Sequence, residues 1–186
     1  VGFSARVLGK TDFAKYKNTA QTLVFDKSKC IYGIKQLKNL KNTEKISEIV
    51  IVEGQMDVIS LFKAGVKNAV ACMGTALTTN HAKDLKRFAD KVVLCFDGDS
   101  AGKKATLRSI EILVNAGIGV YVVSIPNGND PDEFVNLYGK SEWDNLIASA
   151  SYWVEFLIND FASNYNLDKL DEKNKFIKLL LEWKKK

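Results

Sequence analysis

Acidic residues follow three apolar runs of the sequence, in a spacing that is typical of a metal site acting on phosphates. The runs are IVIV at 49–52, VVLCF at 92–96 and VYVVSI at 120–125. The acids that follow them are Glu53, Asp97, Asp99, Asp130, Asp132 and Glu133. Such runs predict buried parallel strands, and the carboxyl ends of parallel strands open at one edge of a sheet. We therefore expect the three acidic loops to converge.

Converging carboxylates repel one another and need a cation between them. At a separation of ~4 Å and an effective dielectric constant of ~20, each pair costs about 4 kcal/mol. The loops contain oxygen ligands but neither histidine nor cysteine, which favours magnesium or manganese over zinc. Asp97 and Asp99 flank Gly98, so one tight turn can bring two carboxylates to the same ion. Because magnesium is usually shared with substrate phosphates, phosphoryl or nucleotidyl transfer is the predicted reaction class.

A simpler interpretation of these acids is helix capping. An aspartate at the end of a strand often caps the following helix, and Asp57, Asp97 and Asp99 are each suited to that role. Three acidic strand ends in one sheet favour the metal site over three unrelated caps.

Residues 46–149 alternate between β-branched runs and helical periodicity. Strands are predicted at 46–52, 69–73, 91–96 and 119–125, and helices at 57–62, 85–89 and 105–114. This alternation predicts an α/β fold, with a parallel sheet of about four strands, flanking helices and right-handed crossovers.

The two flanks of this region differ from it in composition. Residues 1–45 contain ten basic and three acidic residues, a net charge of +7 in a chain whose total is +5. We interpret them as a small mixed basic lobe that holds a polyanion. Residues 150–186 carry apolar residues at helical spacing and are predicted to be a truncated helical segment. The predicted domains are therefore 1–45, 46–149 and 150–186.

Composition excludes several classes of protein. The chain of 186 residues is 46% hydrophobic and 26% charged, which is typical of a folded domain and not of a disordered chain. It has neither a run of ~20 apolar residues nor a signal peptide, so we expect a cytoplasmic protein without a membrane partner. The three cysteines are widely spaced and fit neither disulfides nor a zinc site. Because the first residue is Val1 and not methionine, we expect an excised piece of a longer protein.

Six segments of the chain resemble the polymerase domain of bacterial replicative DNA primases. VEGQMDVISL at 52–61, CFDGDSAGKKA at 95–105 and NDPDEF at 129–134 are similar to the three acidic motifs of the toprim domain. VGFSARVLG at 1–9, KYKNT at 15–19 and FDKSKCIYGI at 25–34 resemble the segments that precede toprim in those primases. The combination is specific, because other toprim proteins share the acidic motifs but not the upstream set.

The resemblance assigns roles to individual residues. It implies that Glu53, Asp97 and Asp99 form the catalytic metal site, with Glu53 either a ligand or a general base. The additional acids around the metal are Asp57, Asp130 and Asp132. The basic residues matched to phosphate binding are Arg6, Lys15 and Lys27. Gln55 and Asp26 depart from the family pattern, which commonly has an aromatic residue and a histidine there, and Asp26 weakens the assignment of Lys27.

The implied activity is that of a nucleotidyltransferase. A primase makes short RNA primers on a single-stranded DNA template from nucleoside triphosphates, with magnesium or manganese as cofactor. The resemblance also implies a replicative helicase as partner, through a region absent from this chain. We expect the chain to be incomplete and weakly active, with no zinc module.

Other functions fit part of the pattern. A haloacid-dehalogenase-like phosphatase would use Asp97 as its nucleophile, because an apolar strand followed by Asp-x-Asp is also the signature of that class. A toprim-type nuclease and a non-catalytic binding fragment are further alternatives. The single histidine, His81, has no partner for nucleophilic catalysis in the motif TTNHAKDL, and we interpret it as structural.

Overall fold

The computed structural model describes residues 2–7, 16–163 and 165–184. The strands in these ranges are β1 (Ser4–Arg6), β2 (Tyr16–Asn18), β3 (Ile31–Tyr32), β4 (Ile49–Val52), β5 (Ala69–Cys72), β6 (Lys91–Cys95), β7 (Gly119–Val122) and β8 (Ser151–Tyr152). The helices are α1 (Ile34–Thr43), α2 (Gln55–Lys63), α3 (Thr79–Lys86), α4 (Ser100–Asn115), α5 (Pro131–Ala148), α6 (Trp153–Ala162) and α7 (Leu170–Lys184). Two 3-10 turns lie at Lys27–Lys29 and Pro126–Gly128.

A six-stranded sheet in the order β3-β5-β4-β6-β7-β8 forms the centre of the molecule. The neighbours β5, β4, β6 and β7 are parallel, which confirms the predicted α/β fold and its four strands. The edge strands β3 and β8 are antiparallel to their neighbours and lie outside the four strands predicted for this sheet. Each has only two residues, too few for a periodic pattern in the sequence.

Helices cover both faces of the sheet, which explains why its central strands are apolar throughout. In β4, Ile49 and Ile51 pack in one core with residues of α3 and α4. Val50 and Val52 point the other way and pack with residues of α2 and α5. Because successive side chains of a strand alternate between its faces, a strand buried on both faces shows a continuous apolar run.

Both flanking segments contribute to this sheet. The strands β1 and β2 form a separate antiparallel pair, in which Arg6 is opposite Tyr16. The strand β3, from the predicted basic lobe, pairs with β5, and β8, from the predicted helical segment, pairs with β7. The helices α6 and α7 meet through the rings of Phe161 and Trp183. The division at residues 45 and 150 remains a prediction.

The helix predicted around 85–89 differs in its bounds. Its start is fixed by Thr78, whose hydroxyl accepts a hydrogen bond from the amide of His81 at 3.2 Å, and α3 ends at Lys86. Phe88 follows it in a turn and Ala89 lies just beyond that turn, although Ala89 is buried. Among the described helices, none is both long and apolar enough to cross a lipid bilayer.

Candidate active site

A cleft of about 420 Å³ opens at the carboxyl edge of the parallel strands. The acidic residues that line it are Glu53, Asp57, Asp97, Asp130, Asp132 and Glu133. They come from the three loops that follow β4, β6 and β7 and from the first turns of α2 and α5. The β1–β2 pair contributes Arg6 and Asn18. The structure therefore brings together the acids that were predicted to converge, except Asp99.

Glu53 connects two of the acidic loops. It follows β4 directly, and its Oε1 atom accepts a hydrogen bond of 2.9 Å from the amide of Asp97, which lies beyond β6. Partial desolvation raises the pKa of Glu53, the amide of Asp97 lowers it, and the charges of Asp97 and Asp99 raise it again. The carboxyl group is thus held in place while its negative charge is disfavoured, and a cation bound nearby would favour that charge.

Asp57 is the most buried acid of the cleft, with 8% of its surface exposed. It lies in the first turn of α2, where its Oδ2 atom accepts a hydrogen bond of 2.8 Å from the amide of Gly54. Burial raises the pKa of Asp57 to about 6. The hydrogen bond from Gly54 opposes this shift, whereas the charges of Asp130, Asp97 and Asp132 add to it.

Asp99 and Asp130 cap helices. The Oδ1 atom of Asp99 accepts a hydrogen bond of 2.7 Å from the amide of Gly102 in α4, and Oδ1 of Asp130 accepts one of 2.7 Å from the amide of Glu133 in α5. Asp99 is not among the residues that line the cleft, although its charge acts on Glu53. The capping interpretation is therefore correct for Asp99. Each cap uses one carboxylate oxygen, so capping and metal binding are compatible.

The donor set fits a hard, hydrated cation. Within the described ranges, no three histidine, cysteine or acidic side chains are close enough to hold one ion between them. Magnesium usually keeps several waters and takes only one or two carboxylates from the protein, so an open acidic cleft suits it. Cys72 also lines the cleft, but burial raises the pKa of its thiol to about 11. A protonated thiol is a poor metal ligand.

The three predicted basic residues are placed differently. Arg6 is an exposed residue of β1 and lines the acidic cleft. Lys27 begins the 3-10 turn Lys27–Lys29 and is not among the residues of the cleft. Its backbone oxygen contacts the ring of His81 at 3.1 Å. Lys15 lies outside the described residues.

Two residues of the site were not identified from the sequence. A Cβ atom at Gly102 would lie 2.1 Å from the carbonyl oxygen of Asp97 and 2.9 Å from Oε1 of Glu53, so α4 approaches the acidic loop closely only because this residue is glycine. The glycine three positions after Asp99 is the only signal of this in the sequence. Asn18 lines the cleft, and its buried Oδ1 atom has no hydrogen-bond partner among the described residues.

Both parts of the site match known families. Residues 50–135 match a family model described as Toprim-like. Residues 1–38 match a family model described as the N-terminal domain of the DNA primase catalytic core. The first match contains the acidic residues of the cleft, and the second contains Arg6 and Asn18.

Similarity to individual primases extends over almost the whole chain. The DNA primase of Clostridium acetobutylicum is 42% identical over 183 residues, which are 98% of this chain and 30% of that protein. A DNA primase domain from Pseudomonas aeruginosa, solved by crystallography, is 35% identical with a TM-score of 0.86, covering 97% of this chain and 58% of that one. A primase catalytic domain solved with bound single-stranded DNA is 31% identical with a TM-score of 0.84, covering 96% of this chain and 57% of that one.

This chain thus spans about a third of the length of the curated relatives it matches. The similarity includes the acidic loops, the β1–β2 pair and the six-stranded sheet. The chain belongs to the bacterial DNA primase family, in which it corresponds to the toprim-containing part of the catalytic core.

Proposed function

We propose that this chain carries the metal and nucleotide site of a DNA-dependent RNA polymerase, which makes short primers on single-stranded DNA from nucleoside triphosphates. The observation that carries the proposal is the cleft in which Glu53, Asp57 and Asp97 face the same space as Arg6, in a chain of the primase family. Acidic and basic groups around one cleft suit a substrate that brings phosphates and cations together. Toprim domains and primases use divalent metal ions.

The metal ligands in this proposal are drawn from Glu53, Asp97 and Asp99, of which one or two would bind a given magnesium ion while water and substrate phosphates complete its shell. Manganese would be a substitute for magnesium. The further acids around the metal are Asp57, Asp130 and Asp132. When bound, the ion neutralises the triphosphate oxygens and the charge that develops as the primer 3′ hydroxyl attacks. The chain itself supplies orientation, because the amide of Asp97 fixes Glu53 and the amide of Gly102 fixes Asp99. Glu53 is suited to act either as a ligand or as a general base.

The basic lobe would bind the phosphates of the DNA and make no sequence-specific contacts with its bases. Arg6 is the predicted phosphate contact inside the cleft, and Lys27 is a predicted contact outside it. Lys15 is a further predicted phosphate contact. The DNA-bound structure of a similar catalytic domain supports a single-stranded template. Binding through a few phosphates predicts that log affinity falls with log salt concentration by ~0.7 per neutralised phosphate.

Other parts of the proposal concern the longer protein. The relatives are about three times as long as this chain, and we propose that a replicative helicase binds through a region outside it. A zinc module, where present, would also lie outside it. We further propose a cytoplasmic location, where the DNA template of a bacterial primase would lie.

The proposal is tested by metal titration and primer synthesis on the same variants. Calorimetric titration with magnesium should show binding to the wild type, weaker binding to Asp97→Asn and unchanged binding to Asp168→Asn, an exposed control outside the cleft. In a protein of the relatives' length, Asp97→Asn should abolish primer synthesis on single-stranded DNA. Equal magnesium binding by Asp97→Asn and the wild type would refute the proposed metal site.

Two alternatives have their own readouts in this experiment. A phosphatase of the haloacid-dehalogenase type would accumulate a phosphorylated Asp97 when given a phosphate monoester. A toprim nuclease would cleave DNA without nucleoside triphosphates. Either result, together with no primer synthesis, would replace the polymerase proposal.

A further inference from the structure

His81 lies between the predicted phosphate-binding turn and the acidic cleft. Its side chain is fully buried in the first turn of α3. Its Nε2 atom is 3.1 Å from the carbonyl oxygen of Lys27, a residue 54 positions earlier. Its Nδ1 atom is 3.3 Å from the amide nitrogen of Thr78 and 3.6 Å from the sulfur of Cys72, which lines the cleft.

These partners determine the tautomer of the ring. A backbone amide only donates and a backbone carbonyl only accepts, so Nδ1 accepts from Thr78 and Nε2 carries the proton that it donates to Lys27. Burial lowers the pKa of His81, although the bond to Lys27 opposes this shift. The neutral ring is therefore hydrogen-bonded at both nitrogens, and its orientation is fixed.

Thr78 makes a second bond to the same turn. Its hydroxyl donates a hydrogen bond of 2.7 Å to the carbonyl oxygen of Ser28. The start of α3 thus holds two consecutive carbonyl groups of the Lys27–Lys29 turn. The turn is closed from its other side by Asp26, whose Oδ1 atom accepts from the amide and the hydroxyl of Ser28 at 2.9 and 2.7 Å.

A fully buried histidine needs hydrogen-bond partners whatever its role, but packing alone does not require one of them to lie in a distant basic segment. Here the ring touches the cleft residue Cys72 on one side and the backbone of Lys27 on the other. Lys27 is partly exposed, and its side chain extends from a backbone that is fixed relative to the cleft.

We propose that His81 is a positioning residue, which fixes the Lys27–Lys29 turn relative to the cleft so that Lys27 contacts a phosphate of the substrate. The phosphate role of Lys27 rests on the proposed function, whereas the bond from His81 to the turn does not. The phosphate belongs either to the single-stranded template or to a nucleoside triphosphate, and the experiment separates these two sources.

Two substitutions test the two nitrogens of the His81 ring separately. Asn at position 81 offers an oxygen near the place of Nδ1 but is too short to reach Lys27, whereas Gln offers an amide nitrogen near the place of Nε2. Binding of an oligothymidylate is measured against salt concentration for the wild type, His81→Asn, His81→Gln, Lys27→Ala and the double variant His81→Asn with Lys27→Ala. ATP binding in magnesium is measured for the same proteins.

If Lys27 contacts template, Lys27→Ala and His81→Asn should each reduce the salt slope for DNA by ~0.7. The double variant should lose no more than Lys27→Ala alone, because His81 acts through Lys27. His81→Gln should keep the wild-type slope. If the phosphate is that of the triphosphate, the same pattern should appear for ATP and not for DNA. Additive losses, or equal losses in His81→Asn and His81→Gln, would overturn the positioning role.

Two measurements keep the proposal testable if His81→Asn does not fold. Nitrogen-15 NMR of the wild-type imidazole should show the tautomer protonated at Nε2, and a ring protonated at Nδ1 would overturn the bond to Lys27. Amide exchange at Ser28 and Lys29 should be faster in Thr78→Val than in Thr78→Ser, since serine keeps the hydroxyl. If the wild type binds neither DNA nor ATP, the phosphate role of Lys27 is wrong, while NMR still decides whether His81 bonds to the turn and exchange whether Thr78 does.

Discussion

Replacing Asp57 with asparagine should stabilise the protein at neutral pH in the absence of metal. Burial raises the pKa of Asp57 from 3.8 to about 6, so ionisation of this group opposes folding. A shift of ~2 pKa units corresponds to about 3 kcal/mol. The cost is nearly absent below pH ~3, is about 1.5 kcal/mol at pH ~5 and is complete above pH ~7. Asparagine keeps an oxygen that can accept from the amide of Gly54 and carries no charge.

The assay is urea unfolding of the wild type and Asp57→Asn in a chelator between pH 4 and 8. The free energy of unfolding of the wild type should fall relative to that of the variant as the pH rises. The variant should gain about 1.5 kcal/mol at pH ~5 and about 3 kcal/mol at pH ~8. Asp168→Asn, in the exposed segment before α7, is the matched control and should show no such change. A difference between wild type and Asp57→Asn that is independent of pH would refute the reasoning.

Gly102→Ala should destabilise the protein by about 1–3 kcal/mol, because the new Cβ atom would lie 2.1 Å from the carbonyl oxygen of Asp97. Gly98→Ala is its control, since a Cβ atom there meets nothing within 4 Å, and equal urea midpoints for the two variants would contradict this account. Asp99→Ala should lose about 1 kcal/mol of stability through the missing helix cap, which Asp99→Asn should retain. Both substitutions at Asp99 should lower the pKa of Glu53, and an unchanged NMR titration of Glu53 would show that the two carboxylates do not interact.

The acidic site was predictable from sequence because its residues follow recognisable strands. Glu53 and Asp97 come directly or nearly directly after buried β-branched runs, and parallel topology then brings those strand ends to one edge. The sequence did not reveal which acid faces the cleft. Asp57 is buried in the cleft, whereas Asp99 turns its Oδ1 atom to the amide of Gly102. Which acid faces the cleft depends on the direction in which each helix leaves its strand.

In the fold, too, some features were determined by the sequence of a single segment. A strand buried on both faces must be apolar along its whole length, so the order of residues in β4 and β6 alone determined that they form central strands and that helices cover both faces. The composition of residues 1–45 likewise determined a basic segment. Neither of these predictions requires knowledge of which distant segment packs against the residues concerned.

Only the tertiary structure decided which distant groups meet. The edge strand Ile31–Tyr32 is too short to show a period, and its place in the sheet depends on the edge that β5 offers for hydrogen bonding. His81 has no functional partner near it in the sequence, and its bond to Lys27 spans 54 positions. Periodicity records which side of its own element a residue occupies, whereas a contact between elements also depends on the crossovers that bring them together. The acidic residues and the apolar strands could therefore be predicted from the sequence. The contact that links the Lys27–Lys29 turn to the cleft through His81 could not.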